Sequence, residues 1–257
     1  MIGRRLILFA ALAAALAALG GCRRDAAGPN IVLVAMDGLR ADHVGAYGYE
    51  EKTTPFIDFL ASKGTRFEHA YTTSPWTLPA YASLLSGTAP ATHLLNDEAA
   101  HARADLASLP GLLQEAGYRT AAFVSNTKLR KDKGFAAGFD RYYYLPNASA
   151  RSLSDRAAEW LAGHRGESFF LMLQYSDLQI PYAPPARFIR RHYPEDLEPH
   201  TAGPLDMIRL MRAADEAERE SRLAAFRALY DAEIDAADEG LSLFTKRCRT
   251  LNSTATP

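Results

Sequence analysis

An α/β fold, with a mostly parallel central sheet and helices on both faces, is what this 257-residue chain predicts. Three observations carry that reading. Strand-like and helix-like patterns take turns along the sequence, without an internal repeat. Two runs, 29–36 and 169–175, are continuously apolar and rich in β-branched or aromatic residues, as strands buried on both faces are. A content of 48% hydrophobic and 23% charged residues is ordinary for a globular chain, and the length suffices for one such domain.

The elements follow in order. Pro29-Asn30-Ile31-Val32-Leu33-Val34-Ala35-Met36 is the first strand, and it ends at Asp37-Gly38. It therefore delivers a carboxylate to the edge of the sheet where α/β folds bind ligands. Thr54-Pro55 opens a helix through Phe56, Phe59 and Leu60, stopped by Gly64, and Arg66 to Tyr71 reads as a strand with Phe67 inward. A second helix begins at Thr77-Leu78-Pro79. Ser108-Leu109-Pro110 starts a helix to Gly117, Tyr118 to Val124 is a strand, Ser152 to Gly163 a helix, and Phe169 to Tyr175 a buried strand. The segment from Asp196 to Arg219 is a charged, less regular insertion that reads as a solvated helical loop, with the border of a substrate cleft as the alternative. Leu223, Phe226, Tyr230, Ala237, Leu241 and Phe244 then recur at mostly three- and four-residue spacing, which predicts a long amphipathic helix.

Thr77 is the candidate nucleophile. A helix start presents unpaired N–H groups and the positive end of the macrodipole, so an anionic ester docked there is stabilised before any side chain helps. A threonine at such a start is also an ordinary cap residue. Asp37, at the end of the first strand, is what raises it above that reading.

Taken together, Asp37, the Leu39-Arg40-Ala41-Asp42-His43 continuation, the Thr77-Leu78-Pro79 helix ending Ser83-Leu84-Leu85-Ser86-Gly87, and the later Asp140 and Tyr182 regions resemble the sulfatase family of the alkaline phosphatase superfamily, from about Pro29 to Phe244. The resemblance implies an alkaline phosphatase-like fold, incomplete at the C-terminus, and hydrolysis of sulfate or phosphate esters. It also implies a divalent metal ion (Ca, Mg, Mn or Zn) held by Asp37 and Thr77, which would favour the threonine alkoxide.

The chain departs from the family at several places. Sulfatases proper carry a cysteine or serine, oxidised to formylglycine, where Thr77 stands, and threonine cannot be so converted. The family lysine and histidine that follow a Gly-Tyr-x-Thr-Ala strand are absent after Gly117-Tyr118-Arg119-Thr120-Ala121, where Ser125-Asn126-Thr127 stands instead. Another family histidine corresponds to Gln179 in Asp177-Leu178-Gln179-Ile180-Pro181-Tyr182. Asn126 and Gln179 are thus the candidate substrate-binding residues. These changes are similar to the threonine-dependent branch, which includes phosphodiesterases and phospho-head-group transferases.

The family's further metal ligands come from an Asp-His-Gly segment after the long helix. Here that helix is followed by a tail from Thr245 to Pro257 without Asp, Glu or His, which reads as a truncated hydrolase, weak or inactive. A head-group transferase and a non-catalytic tethered binding module are the alternatives. His43, His69, His93, His101 and His164 lie at unrelated spacings and read as surface or supporting residues, and Asp42 as a solvent-facing cap or an indirect aid to the metal.

The N-terminus has the order of an export signal: Arg4-Arg5, an apolar run from Leu6 to Leu19, then Leu19-Gly20-Gly21-Cys22. It resembles the bacterial lipoprotein box, with Cys22 as the acylated residue. The expected organisation is a signal peptide over 1–21, a tether over 22–28, the sulfatase-like domain over 29–244 and an irregular polar tail over 245–257, the protein being lipid-anchored at the membrane of a bacterial cell envelope. With Cys22 taken by lipid, Cys248 has no partner for a disulfide. A formal net charge of −1 offers no basic field for nucleic acid.

Overall fold

The computed structural model describes residues 28–101, 106–194, 202–212 and 215–253. Its centre is a sheet of four parallel strands, β1 (Ile31–Met36), β2 (Arg119–Val124), β3 (Arg141–Tyr144) and β4 (Phe169–Tyr175), in the order β1-β4-β2-β3. The helices are α1 (Pro55–Lys63), α2 (Thr77–Ser86), α3 (Pro90–His93), α4 (Leu109–Glu115), α5 (Ala150–Ala162), α6 (Ala186–His192), α7 (Pro204–Met211) and α8 (Glu216–Ser253).

Alternation along the inner strands explains why both faces are covered. In β4, Leu171, Leu173 and Tyr175 pack with Ala121 and Phe123 of β2 against α5 and the middle of α8. The intervening Phe170 and Met172 pack with Ala122 and Val124 against α2, through Leu78, Tyr81, Ala82 and Leu85. Neighbouring side chains on a strand point to opposite faces, so a strand flanked by helices on both sides has no polar face to spare. That is the continuous apolar pattern visible in the sequence. Removing this much aliphatic and aromatic surface from water supplies the main drive to fold, at about 25 cal/mol per Å².

Most expected elements are present, and two expectations need correction. Arg66 to Tyr71 forms no strand, and Phe67 is 69% exposed. The segment lies along the surface beside Tyr47, whose hydroxyl donates to Phe67 O at 2.8 Å. The expected irregular polar tail from Thr245 is a continuation of α8 to Ser253. Cys248 and Leu251 pack against the core there, and the hydroxyls of Thr245 and Thr250 donate to the carbonyls of Leu241 and Lys246, so the polar side chains bond within the helix and do not break it. The insertion contains α7, in keeping with a helical loop. β3, which no pattern announced, has only four residues.

Of the histidines read as surface or supporting residues, His43 and His93 are buried: they are 9% and 2% exposed, each hydrogen-bonded, to Asp231 and to Ser83 respectively. Cys248 is a free thiol. Cys22 and the export segment lie outside the described residues. Among the described residues, no helix is long and apolar enough to cross a membrane.

Candidate active site

Asp37 directly follows β1, and its N–H donates to Tyr175 O at 3.0 Å, extending the ladder to β4 by one residue. The next residue must turn sharply. Gly38 does so with φ +82°, and a Cβ built there would lie 3.3 Å from the carbonyl oxygen of Leu178. Glycine is required both by the left-handed backbone and by that neighbour.

Three neutral donors converge on the Asp37 carboxylate. The Tyr81 hydroxyl donates to Oδ1, the Asn126 side-chain amide donates to Oδ2 at 2.6 Å, and the Gln179 amide reaches the same Oδ2 at 3.4 Å. Asn126 is buried and Gln179 exposed, so the carboxylate is gripped from within the fold and touched from the rim. Burial raises the Asp37 carboxyl above its ordinary value; the hydrogen bonds from Tyr81 and Asn126 oppose that rise in part. The Tyr81 phenol is pushed far up, by burial first and then by the Asp37 charge, and so remains a proton donor.

Gln174 supports the arrangement from below. It is fully buried in β4; its side-chain oxygen accepts from the N–H groups of Ser125 (3.0 Å) and Asn126 (2.8 Å), while its amide donates to Tyr175 O at 3.1 Å and Ser176 Oγ at 3.0 Å. A buried amide satisfied on both ends fixes the exit from β2 that carries Asn126. Tyr81 and Gln174 were not among the expected site residues. Their signals were in the sequence: Tyr81 stands four residues after Thr77, hence on the same helix face, and Gln174 is the polar interruption in the run Phe169-Phe170-Leu171-Met172-Leu173-Gln174-Tyr175.

Thr77 is the first residue of α2. Trp76 occupies the cap position in extended conformation and offers no capping side chain. Pro79 has no N–H and Ala80 N donates to Trp76 O at 3.3 Å, so the uncapped first-turn amides are those of Thr77 and Leu78. Among the described hydrogen bonds of Asp37 none goes to Thr77; the two are linked through Tyr81, one turn along the helix. Asp42 does not take part: it pairs with Arg40 at the surface, at 2.6 Å and 2.9 Å.

Beyond Gly38 the edge opens into a cleft of about 1110 Å³, whose walls include Arg40, His43, Tyr49, Tyr182, Tyr230 and Asp231. Asp231 is buried and accepts from Tyr49 Oη at 2.7 Å and pairs with His43 Nδ1 at 2.6 Å.

A divalent ion was expected on Asp37 and Thr77, and the described residues do not by themselves fit one. No group of three or more His, Cys, Asp or Glu side chains among them is arranged to hold a metal. Hard cations and zinc take about four to six ligands. Here one carboxylate is available, and both its oxygens already accept from O–H or N–H donors.

The sulfatase family model matches residues 29–253. N-acetylgalactosamine-6-sulfatase of Rattus norvegicus is 33% identical over 135 residues, which are 46% of this chain and 26% of the rat protein. Among solved structures, the phosphonate monoester hydrolase of Agrobacterium radiobacter superposes with a TM-score of 0.69 at 18% identity, over 87% of this chain and 60% of that one. The lipoteichoic acid synthase LtaP of Listeria monocytogenes gives 0.64 at 20% identity, over 88% and 53%. The chain thus spans about a quarter of the rat sulfatase and little more than half of these solved chains.

Proposed function

The chain belongs to the sulfatase family, and from that premise we propose that the edge formed by Asp37 and the start of α2 is the site of a sulfuric or phosphoric ester hydrolase, with Thr77 in the nucleophile position. The observation that carries this is the bond from Tyr81 to Asp37, made one helical turn from Thr77. It brings an uncapped helix start, a free hydroxyl and the acidic end of β1 to one place.

The chain's own residues divide the work. The N–H groups of Thr77 and Leu78, at the positive end of α2, receive the equatorial oxygens of the ester. The Asn126 and Gln179 amides, which now donate to Asp37, lie within reach of the same anion and orient it. Thr77 Oγ1 attacks the sulfur or phosphorus in line with the leaving alkoxide, its proton passing to solvent; the bond to the alkoxide oxygen breaks, that oxygen takes a proton from solvent, and water then hydrolyses the sulfo- or phospho-threonine to free sulfate or phosphate and restore the hydroxyl. An ordinary hydroxyl attacks slowly at neutral pH unless a base takes up its proton. Asp37, engaged by three donors, is the one acid group described at this spot. Turnover by this chain is therefore slow.

A phospho-head-group transferase is the second reading, favoured by the threonine in the nucleophile position and by the likeness to a lipoteichoic acid synthase; it differs only in the acceptor, an alcohol in place of water. For localisation we propose a lipid anchor on Cys22 at a bacterial envelope, on the residue order of the export segment.

Hydrolysis of p-nitrophenyl sulfate, p-nitrophenyl phosphate and bis-p-nitrophenyl phosphate tests the assignment. Slow turnover of at least one, abolished in Thr77→Ala, is expected. Turnover that survives that substitution removes Thr77 from the chemistry. Calorimetric titration with manganese, zinc, magnesium and calcium is expected to show weak binding, and tight binding lost in Asp37→Ala would overturn the view that the described residues do not suffice for a metal.

A further inference from the structure

Among the described backbone bonds none closes Gly38 to Arg40. The Tyr230 hydroxyl fills that gap: it donates to Gly38 O at 2.7 Å and accepts from the Arg40 N–H at 2.9 Å. One phenol oxygen thus bridges the two sides of a single residue, Leu39, from about 190 positions away in sequence. The Tyr230 ring is 7% exposed and packs with Leu178 and Ile234, with Leu39 and Met36 laid against them.

One turn further along the same face of α8, Glu233 Oε1 accepts from the Ala183 N–H at 2.7 Å. This holds the segment that brings Gln179 to Asp37. The rings of Tyr182 and Tyr230 lie 5.7 Å apart between these two attachments. The loops that meet at the carboxylate are therefore fastened to one helical face, and a rotation or slide of α8 would move both.

We propose that Tyr230 is a positioning residue for the site: its hydroxyl, and not merely the bulk of its ring, sets where the Asp37 carboxylate stands relative to Asn126. This rests on the reading of that edge as an ester site for its catalytic consequence, and on geometry alone for its structural one. A buried tyrosine that merely fills space would leave the Gly38–Arg40 turn unchanged when the hydroxyl is removed. A tyrosine that closes the turn would not.

The test compares Tyr230→Phe with Thr120→Val, a control in which another buried hydroxyl loses its bonds, to Gly138 O at 3.0 Å and from Asp140 N at 2.8 Å, at the opposite end of β2 from Asn126. In Tyr230→Phe the Arg40 amide is expected to exchange with solvent about tenfold faster, the cost of one hydrogen bond of ordinary strength. The side-chain amide resonance of Asn126 should shift, and the Leu33 amide inside β1 should keep its protection. Turnover of whichever p-nitrophenyl ester the wild type accepts should fall about tenfold in kcat with little change in KM, as befits an interaction that aligns groups without adding a contact to the ester.

The control should lower the melting temperature comparably and move neither the Asn126 signal nor Arg40 exchange. Should Tyr230→Phe not fold, 3-fluorotyrosine at position 230 alone, a stronger donor and weaker acceptor, should still shift Asn126. Wild-type Asn126 and Arg40 behaviour in the Tyr230 variants, or equal disturbance in the control, overturns the proposal. The amide measurements need no turnover. Failure of the ester reading, seen as absent or Thr77-independent hydrolysis, is therefore distinguished from failure of the positioning role.

Discussion

Two side chains at the residue scale decide what the Asp37 carboxylate can be. Tyr81 donates to one oxygen and Asn126 to the other, and both bonds favour the ionised form against the burial that opposes it. Tyr81→Phe removes the first-ranked of these favourable bonds, so the Asp37 pKa should rise further, readable by carboxyl ¹³C titration. It should also cost about 1–3 kcal/mol in denaturant unfolding, because a buried acceptor loses its donor. An unchanged or lower pKa would mean that Tyr81 is not what holds the charge. Gly38 is the second such position. Gly38→Ala asks an L-residue to take φ +82° with its Cβ 3.3 Å from Leu178 O, and a loss of about 1–3 kcal/mol is expected. Stability equal to wild type would show that the turn can be remade.

At the scale of elements, α8 fastens separate parts of the chain through polar groups on its buried stretch. Asp231 holds His43 and Tyr49, Glu233 holds Ala183, Asp235 meets His192 at 2.9 Å, and Asp238 accepts from the N–H groups of Phe56 and Ile57 at 2.8 Å each. The last is a helix cap supplied from another element. Thr54 precedes α1 without capping it, and a carboxylate from α8 meets the orphan amides instead. Asp238→Ala should therefore cost about 1–2 kcal/mol and fray the first turn of α1, which amide exchange at Phe56 and Ile57 would register. Loss of stability without faster exchange there would place the effect elsewhere.

The amphipathic spacing of Leu223 to Phe244 announced α8 but not these partners. A cap from a distant element leaves no trace in the local pattern, and threonines that bond back to their own helix look like tail residues until the helix is present. The short β3 is likewise held by its pairing with β2 and by the stacking of Tyr143 on Phe123, at 4.5 Å between ring centres, rather than by length.

For the molecule as a whole, burying carboxylates along α8 makes stability depend on pH. Burial pushes the Glu233 carboxyl from 4.5 to about 7 and that of Asp238 from 3.8 to about 6. Both are raised in the fold, so the folded state binds their protons more readily than the unfolded chain. The stability they contribute is fully present below their unfolded values and is lost as pH rises through about 6 to 7. The free energy of unfolding should fall between pH 5 and pH 8 by about 1–3 kcal/mol, and Glu233→Gln should flatten that slope. A slope unaffected by Glu233→Gln would mean that the group does not titrate in this window.

Cys248 gives a second global readout. Burial against the core pushes its thiol to about 11, so in a Cys22→Ser protein a thiol reagent should label the native state slowly and the unfolded state fast. Fast native labelling would mean that the end of α8 opens readily. For the proposed anchor, incorporation of labelled palmitate that disappears in Cys22→Ser is expected, and incorporation that persists would exclude that cysteine.

What the sequence determined by itself was the layered architecture and the sheet edge at which Asp37 stands. A continuous apolar strand ending in Asp37-Gly38, and an amphipathic or proline-started helix between strands, are local patterns with a single economical way to be buried, so β1, β2, β4 and the major helices could be read before any coordinates. What only the tertiary structure decided was which groups face one another across it: that Tyr81, Asn126 and Gln179 all donate to Asp37, that Gln174 supports Asn126 from within the core, and that Tyr230 closes the turn beside them. The physical reason is range. Secondary structure follows from contacts a few residues apart, whereas the partners of a buried polar group are chosen by satisfaction of its hydrogen bonds, and here they come from positions 44 to 192 residues away.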